Sequence, residues 1–155
     1  MVCSANICRS PMAQGLMRRE LAALGLDRFV GVDSAGTQVP RPGHRPDPRA
    51  RQVAESHGAS IRKFKARRIV ADDFQRFDYI IAMDRDNLRS LEAICPEEYK
   101  NKLFLIMEFA PRSDLEEVPD PYFGNLSGFE RVLGLLEAGC KGLLNHIMAR
   151  HGFTL

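Results

Sequence analysis

The apolar positions along the chain change period several times, and each change marks an element. In MAQGLMRRELAAL, Met12, Leu16, Leu21 and Leu24 recur at near-helical spacing, with Pro11 at the favoured first helical position and Ser10 before it as a cap. This predicts a first helix running to about Leu24. After Gly25, FVGVDSAGT mixes β-branched residues with turn formers and predicts a strand ending near Ser34. GTQVPRPGHRPDP carries too much Pro and Gly for either regular state and reads as a surface loop. Asp47 and Pro48 open a second helix, DPRARQVAESHG, which Gly58 closes. DYIIAM, around Ile80 and Ile81, is the apolar run of a strand covered on both faces, and helix DRDNLRSLEAI follows directly. KLFLIMEF is another buried-strand candidate, and residues 109 to 124 form a long loop. GFERVLGLLEAGCKGLLNHIMAR is a long amphipathic final helix.

Strands alternating with helices in this way predict an α/β domain with a mostly parallel sheet. One feature strains that scheme: only Met1 and Val2 precede Cys3, fewer than the five or six residues usual for a strand, so the first strand is expected to be truncated. With 155 residues, 45% apolar and 27% charged, the chain is expected to form one domain over residues 1–155 around a single core. The 22 Lys and Arg nearly balance 20 Asp and Glu, and no Lys/Arg block is long enough to suggest nucleic acid or an anionic membrane as partner. No apolar run approaches the roughly 20 residues of a membrane helix and no signal-peptide pattern opens the chain, so the expected location is cytoplasmic. Cys3, Cys8, Cys95 and Cys140 match no zinc spacing and are expected to be reduced.

The opening stretch, VCSANICRSP, concentrates chemistry that a plain turn does not need. Cys3 and Arg9 are separated by Ser4, Ala5, Asn6, Ile7 and Cys8, enough for a tight loop whose backbone N–H groups curl inward. The first helix begins immediately behind it, and successive amides plus a helix N-terminus make an anion cradle. Arg9 adds a planar, permanently charged fork that matches two oxygens of a phosphoryl group. Such a field stabilises a thiolate, which makes Cys3 the candidate nucleophile. Ser10 can donate its hydroxyl to the sulfur, and Asn6 suits a left-handed turn position. Cys8, five residues from Cys3, is either a small apolar filler or a thiol able to capture an oxidised Cys3 as a disulfide.

VCSANICRSPM resembles the signature of the low-molecular-weight protein tyrosine phosphatases, with Ala5 where the usual form has Gly. DSAGT at 33–37, AMDRDNL at 82–88, VPDPYFG at 118–124 and GFERVLGLLE follow in that family's order and approximate spacing, over nearly the whole chain. The resemblance implies a flavodoxin-like three-layer sandwich with a four-stranded parallel sheet. It also implies two-step phosphoryl transfer through a phosphocysteine, with no cofactor or metal. Asp120 would then be the general acid that protonates a leaving phenolate and later the base that activates water. Tyr122 and Phe123 would line the mouth and sandwich a substrate ring, with Ile7 and Pro40 beside them. Ser34 resembles the serine that bonds the loop asparagine, while Asp84 and Asn87 resemble positions beneath the loop; all three also suit plain strand-end caps. A tyrosine-phosphorylated protein is the implied substrate and inorganic phosphate the product, and the chain is expected to be monomeric. Ala5 puts a methyl group where the loop would carry a cost of roughly 1–2 kcal/mol if φ were positive. Phe64 falls near a usual histidine. Two other readings use the same loop: a thiol-dependent arsenate reductase, for which only Cys95 stands near the required resolving pair, and a phosphate-binding protein without turnover.

Overall fold

The computed structural model describes residues 1–154, and its centre is a parallel sheet of four short strands. In chain order the elements are β1 (Val2–Cys3), α1 (Arg9–Ala23), β2 (Ala35–Gly36), α2 (Pro48–Ser56), α3 (Ala71–Arg76), β3 (Ile80–Ala82), α4 (Arg85–Ile94), β4 (Leu103–Leu105) and α5 (Leu126–His151). Two 3-10 segments, Glu97–Lys102 and Ile106–Phe109, flank β4. The strand order is β2-β1-β3-β4. β1 has two residues, as short as expected, yet it lies in the interior of the sheet: Val2 pairs with Ala35 on one side and Ala82 on the other, and Cys3 with Gly36.

The period of two along the strands separates the residues into two cores. Cys3, Ile81 and Ile106 face α1, α2 and α5 together with Met12, Leu16, Phe129 and Leu133. Val2, Ala35, Ile80, Ala82 and Leu105 face the other way, against Phe74 of α3 and Leu91 of α4. Helices on both faces of a parallel sheet complete the three layers expected of a flavodoxin-like α/β fold.

Several boundaries differ from the sequence reading. α1 begins at Arg9, so Ser10 does not cap it; Cys8 holds the N-cap position without a side-chain bond, and the Ser10 hydroxyl is spent on the neighbouring loop. β2 starts at Ala35, just beyond Ser34, because residues 30–34 have no pairing partner in the sheet. β4 ends at Leu105, and IMEF turns into a 3-10 segment where the Glu108 side chain accepts from Leu105 N at 2.9 Å. The α3 turn was not foreseen; its short apolar content, essentially Phe74, is too little to set a period. α2 and α4 start after Asp47 and Asp84, which accept from backbone N–H groups, whereas α5 starts at Leu126, two residues before the expected Gly128, capped by Asn125 accepting from Gly128 N. No helix among the described residues is long and apolar enough to cross a membrane.

Candidate active site

The carboxyl ends of β1 and β3 deliver the loop and its supports to one place, where ligands of parallel α/β sheets generally bind. Cys3, the last residue of β1, lies at the floor of a cavity of about 430 Å³ that Ala5, Ile7, Arg9, Pro40, Asp120 and Tyr122 also line. Residues 4–8 turn over it and α1 starts at Arg9, so the loop amides and the helix N-terminus share one concavity. Asn6 is the loop's left-handed residue, at φ 60°, as its side chain allows. Ala5 is not among the positive-φ residues, which removes the strain cost attached to its methyl group.

Hydrogen bonds fix the loop from beneath. The Cys3 sulfur and the Ser10 hydroxyl share a bond of 3.0 Å. Asn6 Nδ2 donates to Ser10 Oγ at 2.7 Å and to Ser34 Oγ at 3.0 Å, while Asn6 Oδ1 accepts from Arg67 N at 2.9 Å. Ser34 in turn donates to Gln14 Oε1 at 2.6 Å. Asn87 Nδ2 donates to Ser4 Oγ at 3.0 Å, and its own N–H is capped by Asp84 Oδ1 at 2.7 Å. Ser34 and Asn87 are therefore loop supports, and Asp84 both caps α4 and holds Arg9. Gly36 lies so close under the loop that a Cβ there would collide with the Ser4 carbonyl and crowd Asn6.

Arg9 is 2% exposed, and its hydrogen bonds run through one guanidinium nitrogen. Its Nη1 donates to Asp84 Oδ2 at 2.6 Å and to the Val118 carbonyl at 2.9 Å, and its Nη2 stands 3.7 Å from Asp120 Oδ2. Burial opposes its charge, but the Cys3 sulfur, the Asp84 hydrogen bond and carboxylate, and Asp120 outweigh it and hold the guanidinium above its ordinary range. Burial, with Asp47 and the Cys3 sulfur adding to it, pushes the Cys8 thiol far above the usual cysteine range and keeps it neutral.

Asp120 stands at the mouth, half exposed, with Oδ1 accepting from Tyr122 N at 3.1 Å. Tyr122 lines the cavity, as expected. Phe123 is not part of the cavity lining: it is 94% exposed and lies edge-on against Tyr122, with ring centroids 5.0 Å apart. The 122–123 turn is held by Arg49, which donates to the Tyr122 and Gly124 carbonyls at 2.9 and 2.8 Å and stacks 4.5 Å from the Phe129 ring. The sequence reading missed Arg41 and His44 on the cavity wall and the support from Gln14. Gln14 was findable, since it lies one helical turn after Ser10 and shares its face. Cys95 belongs to the core on the opposite face of the sheet from Cys3 and cannot serve as a resolving thiol for it.

A thiol paired with a serine on the floor of an amide cradle, an arginine fork beside it and a carboxylic acid at the rim define a thiol-dependent phosphoryl-transfer site on a parallel α/β fold. The sequence comparisons agree. Residues 1–151 match the family model for low molecular weight phosphotyrosine protein phosphatase. The low molecular weight phosphotyrosine protein phosphatase of Schizosaccharomyces pombe is 43% identical over 129 residues, covering 83% of this chain and 82% of that protein. A low molecular weight protein-tyrosine-phosphatase of Bacillus subtilis is 37% identical over 147 residues, covering 94% and 92%. Among solved structures, an Entamoeba histolytica protein tyrosine phosphatase with Hepes in its active site superposes with a TM-score of 0.91 at 40% identity, covering 99% of this chain and 96% of that one. The chain belongs to the low molecular weight phosphotyrosine protein phosphatase family, a family of hydrolases.

Proposed function

We propose that this chain hydrolyses phosphotyrosine in proteins with Cys3 as nucleophile, Arg9 as the fork that grips the phosphoryl group and Asp120 as the proton donor and acceptor. The observation that carries the assignment is the convergence of Cys3 Sγ, Ser10 Oγ, the Arg9 guanidinium and the Asp120 carboxyl on one cavity. In the first step the Cys3 sulfur attacks phosphorus opposite the aryl oxygen. The P–O bond breaks as Asp120 gives its proton to the leaving phenolate, and a phosphocysteine forms. Arg9 and the loop amides neutralise charge on the three equatorial oxygens throughout. In the second step Asp120 takes a proton from water, which attacks phosphorus and expels the Cys3 thiolate, steadied by the Ser10 hydroxyl. Ile7, Pro40 and Tyr122 give an apolar wall suited to an aryl ring. The rest of the reading is one monomeric catalytic domain acting in the cytoplasm on tyrosine-phosphorylated proteins, with inorganic phosphate released.

The test is hydrolysis of para-nitrophenyl phosphate and of a phosphotyrosine peptide, with acid-quenched protein examined by mass spectrometry. A phosphate adduct on Cys3 is expected, accumulating in Asp120→Asn. Cys3→Ser should lose turnover while still binding phosphate, because the cradle survives. Arg9→Lys should be nearly as damaging, since a point charge cannot replace the fork. Turnover by Cys3→Ser near the unmodified rate refutes the assignment.

A further inference from the structure

The near-neutral balance of the chain conceals a strongly uneven distribution. Residues 41–68 carry nine Lys or Arg against two carboxylates, Asp47 and Glu55. The fold gathers much of that charge along one rim of the active-site mouth. The loop carrying Arg41 and His44 is tied to the phosphate loop at both ends, by Gln38 N donating to the Ser4 carbonyl at 2.9 Å and Asp47 N donating to the Ile7 carbonyl at 2.8 Å. Its middle is zipped to a second basic segment: Gly43 N donates to the Ala66 carbonyl at 2.7 Å, and Ala66 N to the His44 carbonyl at 2.8 Å. Arg45 Nη1 reaches the Lys63 carbonyl at 2.6 Å.

Within that second segment Ala66 is buried and Phe64 packs on the core, with Arg18 5.0 Å from its ring, so Lys63 and Lys65 alternate with them and face solvent. Among the described residues, Arg41, Arg45, Lys63 and Lys65 make no ion pair with a carboxylate. By contrast, Arg49 is committed to Asp47, Arg62 to Glu55 and Arg67 to Asp33 and Asp73. Across the mouth the rim is Asp120 and Tyr122. Arg85, on the same side as Asp120's loop, is neutralised by Glu116 and Glu117. The mouth is therefore electrostatically two-sided, with Arg41 and its unpaired neighbours on one rim and the Asp120 carboxylate on the other.

We propose that this strip is a substrate-selecting surface, and that it favours phosphotyrosine segments carrying Asp or Glu close to the phosphotyrosine. The inference rests on the phosphotyrosine reading of the Cys3 site. An extended peptide whose phosphotyrosine enters the cavity passes over the rim within a few residues, at about 3.3 Å per residue. Carboxylates placed there meet Arg41 and His44 at the wall and Lys63 and Lys65 beyond. Exposed pairs of this kind contribute little each, are additive only in part, and are screened by salt. They select among substrates and raise the association rate without touching the chemical step.

The experiment compares kcat/KM for three phosphotyrosine peptides of equal length with acidic, neutral and basic flanks, and for para-nitrophenyl phosphate, at low and high salt. The same peptides are titrated onto Cys3→Ser by fluorescence anisotropy, so that preference is read even where turnover is absent. The expected order is acidic over neutral over basic, with the gap closing at high salt. Lys63→Glu with Lys65→Glu, two residues outside the cavity wall, should lower kcat/KM for the acidic peptide roughly three- to tenfold at low salt and leave para-nitrophenyl phosphate unchanged. Equal values for the acidic and neutral peptides in the unmodified protein overturn the proposal, as does an undiminished acidic preference in the double variant. Failure to turn over any aryl phosphate would count against the Cys3 chemistry instead, and the binding order on Cys3→Ser would still decide the strip.

Discussion

Replacing Asn6 by alanine tests whether the active-site loop is held by this one side chain. Asn6 is 3% exposed, makes three hydrogen bonds, to Ser10, Ser34 and Arg67 N, and occupies a left-handed conformation at φ 60°. Each bond contributes on the order of 1 kcal/mol net, and an alanine at positive φ costs about 1–2 kcal/mol. Ser10 and Ser34 keep other partners, Cys3 and Gln14, whereas the Arg67 N–H is orphaned. The total for Asn6→Ala is then about 3–5 kcal/mol. In a chain of this size that is a fall in Tm of roughly 10 °C.

Asn6→Gly separates the two causes, because it loses the same bonds but fits the backbone. It should be about 1 kcal/mol more stable than Asn6→Ala, the reverse of the usual ranking of these residues. Thermal unfolding followed by circular dichroism, with and without saturating phosphate, measures both. Phosphate should raise the Tm of the alanine variant less than that of the unmodified protein, since the anion must first order the loop that Asn6 no longer holds. An alanine variant within 1 kcal/mol of the parent, or more stable than the glycine variant, would refute the reasoning.

Asp120→Asn should slow aryl phosphate hydrolysis by about 10²–10⁴-fold, with the loss shrinking for leaving groups of low pKa that depart without a proton; an equal loss across leaving groups would make Asp120 merely structural. Mild peroxide should convert the Cys3 thiolate to a sulfenic acid, which the Cys8 thiol captures as a disulfide with release of water, so activity returns with dithiothreitol. Cys8→Ser should start active and recover much less, and equal recovery, or Cys3 found paired with Cys95 or Cys140, sinks that idea. Burial opposes ionisation of Asp47 and Asp73, but hydrogen bonds and charge from Arg49 and Arg67 hold both below the ordinary 3.8. Groups with depressed folded values stabilise the protein above the unfolded value and lose that contribution as pH falls through the folded one. Stability should therefore decline below about pH 4, and the margin by which Asp73→Asn is less stable than the parent at pH 6 should narrow as the pH is lowered, by denaturant titration; a constant gap on acidification would contradict the linkage.

Local signals carried most of the fold. The caps at Asp47 and Asp84, the breaker at Gly58 and the apolar run at Ile80 and Ile81 each sit where short-range chemistry acts alone, and each marks a real boundary. The errors fall where tertiary contacts override the local signal. Ser10 has the composition of a cap, yet the Cys3 thiol and the Asn6 amide claim its hydroxyl. Phe123 has the composition of a cavity wall, yet Arg49 holds the turn so that only Tyr122 faces in. In the candidate site the spacing from Cys3 to Ser10 was enough to identify a cradle, because a five-residue loop before a helix has few ways to close. Arg67 contributes through its backbone N–H, for which no side-chain pattern exists.

The rim charge shows why a sum over the chain was misleading where a sum over a surface is not. Neither basic segment is a long enough block to stand out, and the total of 22 cations against 20 anions suggests no preference. Two backbone hydrogen bonds between Gly43, His44 and Ala66 bring the segments together, and the carboxylates that balance them lie elsewhere, with Glu116 and Glu117 already paired to Arg85. Screening limits an exposed charge to about 10 Å at moderate salt, so the field at the mouth follows the charges around it rather than the total over the chain. The quantity that bears on substrate choice is the local imbalance at residues 41–45 and 63–65, which only the fold assembles.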